Sequence, residues 1–276
     1  MSRSGNYSKV KVKKMSNVLI TGTTSGIGKA FAEKFAQKGH NLILVSRNAE
    51  KLQAQQSYLQ THFDVNVKIV ACDLSAENAI MEIQNKLNEW QIAVDILINN
   101  AGFNECGAFV DTDLTKELEM INLHISFATK LVKSLLPNMI KNHYGRILNV
   151  GSTGSYIASP TDAVYSATKA YILSFSNALC GELTKTGVKV TTLCPGATKT
   201  EFAQKANIQN SPLFKFAGMK PEKVVKKAYP KLMKGKRLVI PGVYNKMLVL
   251  CSKILPVRLL NKITIRMMKN KPIKTK

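Results

Sequence analysis

Ser152, Tyr165 and Lys169 are the residues whose types and spacing are best suited to chemistry. Apolar residues at helical spacing around Tyr165 predict a helix, and side chains four positions apart share a helix face, so Lys169 should lie beside the Tyr165 hydroxyl. A nearby positive charge favours phenolate, so we expect a pKa below the usual value of about 10 for this tyrosine. Ser152, expected at a strand end, could hydrogen-bond the same carbonyl oxygen as Tyr165. The three residues predict a site that reduces a ketone or oxidises an alcohol.

The Tyr-x-x-x-Lys pair is weak evidence when taken alone. The chain has 8 tyrosines and 34 lysines, so chance supplies such pairs, and Tyr7 with Lys11 forms a second one. An ordinary surface helix is the alternative interpretation, and the rest of the chain must decide between the two.

The composition is that of a single large α/β domain. The chain has 276 residues, of which 45% are hydrophobic, enough to bury a full core. Its five cysteines show no metal-binding spacing, which predicts buried apolar cysteines, a reducing compartment and no metal site. No apolar run approaches the ~18 residues of a membrane span, and no signal-peptide pattern opens the chain. We therefore expect a cytoplasmic protein.

The net charge of +23 is concentrated at the two ends of the sequence. Residues 1–14 carry five basic and no acidic residues, and residues 220–276 carry seventeen basic and one acidic residue. The stretch between them is nearly neutral. Terminal segments, rather than the body, should therefore recognise any acidic partner. We expect residues 1–15 to form a disordered basic arm.

Short apolar runs alternate with helical patterns along the middle of the chain. This pattern predicts a Rossmann-like, doubly wound parallel sheet of about seven strands over residues 16–242, with helices on both faces. The predicted strands are residues 18–20, 42–45, 67–71, 94–98, 146–150, 188–193 and 237–240.

A glycine-rich turn at residues 21–28 follows the first predicted strand and opens a helix. Glycines let the backbone approach a pyrophosphate, and the helix N-terminus offers free N–H groups. The turn is therefore a candidate dinucleotide site, although three residues, not one, separate its first two glycines. A simple tight turn is the alternative. The candidate contacts are Gly22, Thr24, Ser25, Gly26, Ile27 and Gly28.

Arg47 stands at the end of the second predicted strand, where an NAD-preferring site would carry an acidic residue. A guanidinium at this position can pair with a ribose 2′-phosphate, which favours NADP(H) over NAD(H). The alternative is an exposed arginine at the start of a helix.

Taken together, these features resemble the short-chain dehydrogenase/reductase family, in its Tyr-x-x-x-Lys branch. The matching motifs occur in the family's order between residue 17 and about residue 200. They are TGTTSGIG at 21–28, CDL with Asp73, NNAG at 99–102, Asn122, NVGS ending in Ser152, YSATK at 165–169 and PGATKT at 195–200.

The resemblance implies an NAD(P)-dependent oxidoreductase in which hydride passes between nicotinamide and carbonyl carbon while Tyr165 exchanges the proton. Asn122 would hold a water that relays protons to Lys169. Dimers or tetramers would form through the helices that carry Asn122 and Tyr165. The cofactor contacts implied by the resemblance are Asp73, Leu74, Asn99, Ala101, Gly102, Tyr165, Lys169, Pro195, Gly196, Thr198 and Thr200.

Substrate choice should depend on three loops, at residues 103–111, 154–162 and 199–219. The last loop, here called the lid segment, is rich in apolar side chains and suggests a lipophilic ketone such as a 3-oxoacyl chain or a steroid-like ring. Packing of the lid onto the body is the alternative role of these side chains. They are Phe202, Leu213, Phe214, Phe216 and Met219.

Residues 243–276, the C-terminal extension, form a basic amphipathic pattern in which Pro256 should separate two helices. Such a pattern suits anionic lipid headgroups, and the extension is loosely similar to that of long-chain acyl and hydroxysteroid reductases. Packing on the body or on a second subunit is the alternative. Basic residues Arg258, Lys262, Arg266 and Lys269 share one face, and apolar residues Leu259, Leu260, Ile263 and Met267 share another.

Two other functions remain compatible with the sequence. The chain could be a membrane-recruited, cofactor-binding scaffold protein that does not turn over a substrate. Nucleic-acid binding is disfavoured because the basic segments lack interleaved aromatics and a recognition motif.

Overall fold

The computed structural model contains one seven-stranded parallel β-sheet, and it describes residues 15–206, 208 and 210–268. The predicted N-terminal arm lies outside the described residues except for Met15. The strands are β1 (Asn17–Thr21), β2 (Asn41–Ser46), β3 (Val67–Ala71), β4 (Ile96–Asn99), β5 (Gly145–Val150), β6 (Val188–Leu193) and β7 (Leu238–Val239).

The strand order is β3-β2-β1-β4-β5-β6-β7, and every neighbouring pair is parallel. The chain crosses from the outer strand β3 to β4, on the other side of β1. This change of direction leaves a crevice at the carboxyl ends of β1 and β4, where open α/β sheets bind their ligands. The predicted doubly wound fold is confirmed.

Helices cover both faces of the sheet. They are α1 (Gly26–Ala36), α2 (Ala49–His62), α3 (Ala79–Glu89), α4 (Leu114–Ile121), α5 (Ala128–Lys141), α6 (Ala163–Glu182), α7 (Glu201–Lys205), α8 (Pro212–Ala217), α9 (Pro221–Met233), α10 (Val243–Ser252) and α11 (Val257–Met268). A π-helical segment, Asn122–Phe127, joins α4 to α5, and a 3₁₀ turn, Thr153–Ser155, follows β5.

The two faces of the sheet carry separate hydrophobic cores, which explains the continuous apolar runs within β1, β2 and β4. Leu19 points to one side and packs with residues of α3, α5 and α6. Its neighbours Val18 and Ile20 point to the other side and pack with residues of α1, α2 and α9. Burial on both faces is what parallel sheets require.

Three local features differ from the sequence pattern. Helix α3 begins at Ala79, not near residue 76, because the preceding chain is a turn in which Asp73 accepts hydrogen bonds from the backbone N–H groups of Ser75 and Ala76. The sequence also gave no sign of the π-helical segment. Cys72 and Cys194 are buried as expected, but Cys251 is exposed.

The two helices predicted around Pro256 are present as α10 and α11. Neither they nor any other helix within residues 15–206, 208 and 210–268 is long and apolar enough to cross a membrane.

Candidate active site

The glycine-rich turn between β1 and α1 forms one wall of a cleft of about 450 Å³. Gly22 has a φ of 68°, which few other residues adopt. The N-terminus of α1 lines the cleft uncapped, because Ser25 makes no side-chain cap hydrogen bond and the first helical turn has no acidic residue. Free N–H groups and the helix dipole attract an anion there. The turn therefore fits the pyrophosphate of a dinucleotide.

Asn100 fixes this turn, although the sequence analysis had singled out Asn99. The Asn100 amide donates to the carbonyls of Thr21 and Gly22 at 2.9 and 3.0 Å, and its backbone N–H donates to Thr21 Oγ1 at 3.0 Å. Asn99 turns away from the cleft wall, and its amide instead donates to Ala128 O and Asn149 Oδ1. Asn99 is the last residue of β4 and Asn100 follows it, so the two amides make their hydrogen bonds in different parts of the fold.

Polar side chains lie where β2 and β3 end. Arg47 lines the cleft, and so does Lys51, in the first turn of α2, which the sequence analysis had missed. Asn48 caps α2 by accepting the Lys51 backbone N–H at 2.7 Å. Asp73 also lines the cleft while its Oδ1 accepts from the Ser75 backbone N–H at 2.9 Å. Arg47, Lys51 and Asp73 thus border the end of the cleft that lies near β2 and β3.

The structure brings Ser152, Tyr165 and Lys169 together in the middle of the cleft. Lys169 Nζ lies 5.6 Å from the centroid of the Tyr165 ring and donates to the Val150 carbonyl at 3.1 Å. Ser152 begins the 3₁₀ turn and accepts the Gly154 backbone N–H at 3.0 Å, and it also hydrogen-bonds Tyr165. A hydroxyl, a phenol and an ammonium therefore converge at one point.

The expected lowering of the Tyr165 pKa is wrong for this structure. Burial raises the pKa of Tyr165, and this effect outweighs the hydrogen bond from Ser152, which acts in the opposite direction. Burial also lowers the pKa of Lys169, to about 8. Both shifts follow from the cost of placing a charge in a poorly solvated position. At neutral pH the phenol is therefore protonated, which is the form that can give a proton to a carbonyl oxygen.

Asn122 lies outside this cleft, at the start of the π-helical segment. Its amide donates to the Ser75 carbonyl at 2.6 Å, and its side chain lines a second cavity of about 350 Å³ together with Glu77 and Lys130. Gly28 does not line the cleft either, because it packs against the Gly22 carbonyl beneath the turn. Apart from Asn99, Asn122 and Gly28, the predicted site residues all line the cleft.

The turn after β6 closes the cleft opposite the glycine-rich turn. The Pro195 carbonyl accepts the Thr153 backbone N–H at 2.9 Å, which fixes this turn against the start of the 3₁₀ turn. Thr200 borders the glycine-rich turn, since a Cβ at Gly26 would lie 2.9 Å from its Cγ2 atom. Gly196 is covered by Asn245 of the C-terminal extension, a contact that the sequence analysis had missed.

Beyond Tyr165 the cleft becomes apolar. The Phe202 ring of the lid segment lies 5.9 Å from the Tyr165 ring. Phe214 also packs into a small core beneath the lid, so it serves both of the roles considered above, whereas Met219 packs against the sheet. The side chains of Leu213 and Phe216 lie outside the part of the chain that the structure describes. The apolar residues of the cleft are Phe103, Leu123, Ile157, Phe202, Ile208, Phe214, Leu248 and Met267.

The C-terminal extension supplies part of this apolar wall. Leu248 of α10 and Met267 of α11 line the cleft, and α11 contacts α8 of the lid segment. The Tyr244 hydroxyl donates to Met267 Sδ at 3.9 Å, which ties the two helices together. The inner face of the extension therefore packs on the body, which is one of the two alternatives considered above. The sequence did not predict that this contact lies at the cleft.

A family model for short chain dehydrogenases matches residues 16–211. The 3-oxoacyl-[acyl-carrier-protein] reductase FabG of Buchnera aphidicola is 34% identical over 213 residues, which are 74% of this chain and 84% of that protein. The very-long-chain 3-oxoacyl-CoA reductase of Homo sapiens is 33% identical over 190 residues, 67% of this chain and 60% of that protein. A solved short-chain dehydrogenase from Sphingobium yanoikuyae in complex with NADPH is similar with a TM-score of 0.77 and 31% identity, over 83% of this chain and 89% of that one.

Proposed function

Because this chain belongs to the short-chain dehydrogenase family and is an NAD(P)-dependent oxidoreductase, we propose that it uses NADPH to reduce a lipophilic ketone. The same site would catalyse the reverse oxidation of a secondary alcohol. The observation that carries the proposal is the position of Tyr165, which lines a single cleft together with the glycine-rich turn and a set of apolar side chains.

Each member of the proposed catalytic set has a distinct task. The protonated Tyr165 phenol gives its proton to the substrate oxygen, and Ser152 orients that oxygen by a hydrogen bond. Lys169, anchored on the Val150 carbonyl, supplies a cation beside the phenol. We also propose that Asn122, which lines the second cavity, belongs to the relay that passes protons to Lys169. When bound, NADPH would supply the hydride.

The preference for NADPH is supported by two cations beyond β2. Arg47 and Lys51 both line the cleft, and residues 46–49 include no acidic residue to bind a ribose 2′-hydroxyl. Lys51 also lies 4.0 Å from Glu201. A guanidinium and an ammonium favour a 2′-phosphate by charge-assisted hydrogen bonds. The relative solved with NADPH has a similar fold at 31% identity, which agrees with this preference.

The substrate class is supported by the apolar wall. A cleft that joins aromatic and aliphatic side chains to a few convergent polar groups is typical of sites for lipophilic small molecules. The two relatives named above act on 3-oxoacyl thioesters according to their names. We therefore propose a 3-oxoacyl chain as the first substrate to test, with ketosteroids as the second.

The test is oxidation of NADPH by the purified protein with short ketones, 3-oxoacyl thioesters of rising chain length and ketosteroids. We expect kcat/KM to rise with the apolar surface of the substrate, because each buried CH₂ contributes about 0.8 kcal/mol.

NADH is the cofactor control, and the ratio of kcat/KM for NADPH over NADH should fall in Arg47→Ala. Tight NADPH binding without oxidation by any carbonyl would argue for the scaffold function instead, and an unchanged cofactor ratio in Arg47→Ala would remove the 2′-phosphate assignment.

We also propose that the outer face of the extension contacts anionic membranes. Met247, Leu250, Ile254 and Val257 are each at least 59% exposed. Five basic residues of the described part of α10, α11 and their connection lie among them, and the sequence has no acidic residue after Glu222. Exposed apolar side chains next to basic ones are the pattern of helices that lie in a lipid interface.

Vesicle co-sedimentation with phosphatidylserine-containing liposomes tests this contact. Replacing Leu250 and Ile254 by serine should weaken binding about tenfold, because the two side chains would no longer enter the interface. The matched control replaces Tyr58 and Met81, which are exposed on α2 and α3, and should leave binding unchanged. Equal binding by both double variants would contradict the proposed contact.

The described surface offers a position for the proposed dimer as well. Phe109, Val110, Leu114 and Leu118 are 55–88% exposed on and before α4, whose helix contacts α6. We propose that two copies associate through this side of the molecule, and light scattering of Leu114→Asp and Leu118→Asp against the unchanged protein would detect the loss of the dimer.

A further inference from the structure

His124 is a buried histidine beside the catalytic helix that the sequence analysis did not consider. It lies in the π-helical segment and is 2% exposed. Its Nε2 accepts the Phe103 backbone N–H at 3.3 Å, and its Nδ1 lies 2.9 Å from Thr168 Oγ1. Phe103 follows the loop that borders the cofactor side of the cleft, and Thr168 lies between Tyr165 and Lys169. One imidazole therefore contacts both sides of the site.

The hydrogen-bonding pattern fits one neutral tautomer of His124. Nε2 accepts a hydrogen bond from a backbone N–H, so it carries no proton and Nδ1 must carry it. Nδ1 then donates to Thr168 Oγ1, and the Thr168 hydroxyl donates to the Tyr165 carbonyl at 2.8 Å. Burial and the charge of Lys169 hold the pKa of His124 well below its usual value, in agreement with a neutral ring. The result is a directed chain of hydrogen bonds from Phe103 to Tyr165.

The ring also fills the space between these two parts of the site. It meets the Tyr165 ring edge-on, with centroids 6.0 Å apart and an interplanar angle of 72°. On its other side, a Cβ at Gly102 would lie 2.5 Å from Nε2, too close for any residue larger than glycine. The loop at 102–103 and helix α6 are thus packed against opposite sides of one side chain.

We propose that His124 is a positioning residue that holds the loop at residues 102–103 and the Tyr165 helix in the register needed for proton transfer. This inference rests on the proposed function of Tyr165. It assigns His124 no contact with the substrate and no proton transfer. Small displacements of a reacting group are costly, since a misplacement of about 1 Å can lower the rate about a hundredfold.

Two substitutions of His124 each keep one of its two hydrogen bonds, to Phe103 or to Thr168, and remove the other. The His124→Asn side chain can reach Thr168 with its amide N–H group, and the His124→Gln side chain can reach the Phe103 N–H with its amide oxygen. We expect His124→Asn to keep most of kcat but raise the KM for NADPH, and His124→Gln to lower kcat about tenfold with a nearly unchanged KM. Equal changes of kcat and KM in the two variants, in step with their melting temperatures, would show that the ring only packs.

Thr168 gives a second test that leaves the imidazole in place. Thr168→Val removes the hydroxyl but keeps the shape, and it should lower kcat by about the same factor as His124→Gln. Thr168→Ser keeps the hydroxyl and should rescue kcat. The double variant His124→Gln/Thr168→Val should be no slower than either single variant, because both remove the same link. Additive losses would overturn the proposal.

Hydrogen exchange provides a readout that does not depend on turnover. The Phe103 amide should exchange faster in His124→Asn than in the unchanged protein, and at the original rate in His124→Gln. Should no carbonyl be reduced, the proposed function would fail while this experiment still decided whether His124 fixes the loop. Unchanged exchange in His124→Asn would overturn the positioning role even in an active enzyme.

Discussion

Tyr165→Phe should lower kcat by about 10²- to 10⁴-fold, the usual contribution of a general acid. The substitution removes the phenolic proton and the hydrogen bond with Ser152, but it keeps the ring that packs near Phe202 and His124. The Kd for NADPH should stay nearly the same, because the glycine-rich turn and the cations beyond β2 are unchanged. Single-turnover kinetics with the preferred carbonyl, together with NADPH fluorescence titration, measures both quantities.

Tyr171→Phe is the matched control for this experiment. Tyr171 lies on the same helix, and its hydroxyl hydrogen-bonds Thr129 Oγ1 at 2.9 Å, away from the cleft. Its loss should cost about 0.5–1.5 kcal/mol of stability and leave kcat unchanged. A Tyr165→Phe enzyme that retained a tenth or more of the original kcat would remove Tyr165 as the proton donor.

Gly28→Ala should weaken cofactor binding at least tenfold, although Gly28 itself does not line the cleft. A Cβ at this position would overlap the Gly22 carbonyl oxygen and lie 2.6 Å from Asn100 Nδ2. The turn must then shift, and the amide of Asn100 would lose its bond to Gly22. We expect overpacking to lower the free energy of unfolding by about 1–3 kcal/mol. Displaced phosphate contacts, at about 1.5–3 kcal/mol each, should raise the NADPH Kd at least tenfold.

Gly181→Ala provides the control for the glycine substitution. Gly181 lies in the last turn of α6, and an added Cβ there would meet no atom within 4 Å. Alanine in a helix should stabilise the fold by about 0.5–1 kcal/mol without a change in cofactor affinity. Calorimetry would measure the NADPH Kd, and chemical denaturation the stability. Unaltered NADPH affinity in Gly28→Ala would show that the turn does not hold the pyrophosphate.

The parallel sheet could be predicted because its signals are local. The central strands contain short apolar runs bounded by turns, and burial on both faces makes these runs continuous, as at Val18, Leu19 and Ile20. The π-helical segment at Asn122–Phe127 could not be predicted in this way. Its residues follow an ordinary helical pattern, and nothing in that pattern distinguishes the wider turn of a π-helix from that of an α-helix.

The candidate site was predictable where a motif fixes both residue type and backbone shape. The glycine-rich turn and the Tyr-x-x-x-Lys pair are of this kind. The choice between Asn99 and Asn100 was not, because it depends on where β4 ends and on which way each amide then points. Met267 was missed because it reaches the site from an element remote in sequence. Lys51 and His124 lie within four residues of the predicted Arg47 and Asn122 but belong to none of the motifs, so only their placement in the fold reveals them. The predicted direction of the Tyr165 pKa shift was wrong, because a sequence shows the neighbouring charge of Lys169 but not how deeply the Tyr165 hydroxyl is buried.

The cleft is lined both by the body of the protein and by the C-terminal extension. The proposed cofactor site and the apolar site should therefore be completed at different times during synthesis. The residues that we propose for nucleotide binding all precede about residue 200, whereas Leu248 and Met267, which also line the cleft, come from the C-terminal extension. Domains begin to fold while the ribosome is still adding residues. Because α9 and β7 complete the core, a nascent chain that has passed β7 should hold the proposed dinucleotide before it can discriminate among carbonyl compounds. Nonsense or frameshift changes beyond β7 would then release a nucleotide-occupied protein that has lost its selectivity rather than an unfolded one.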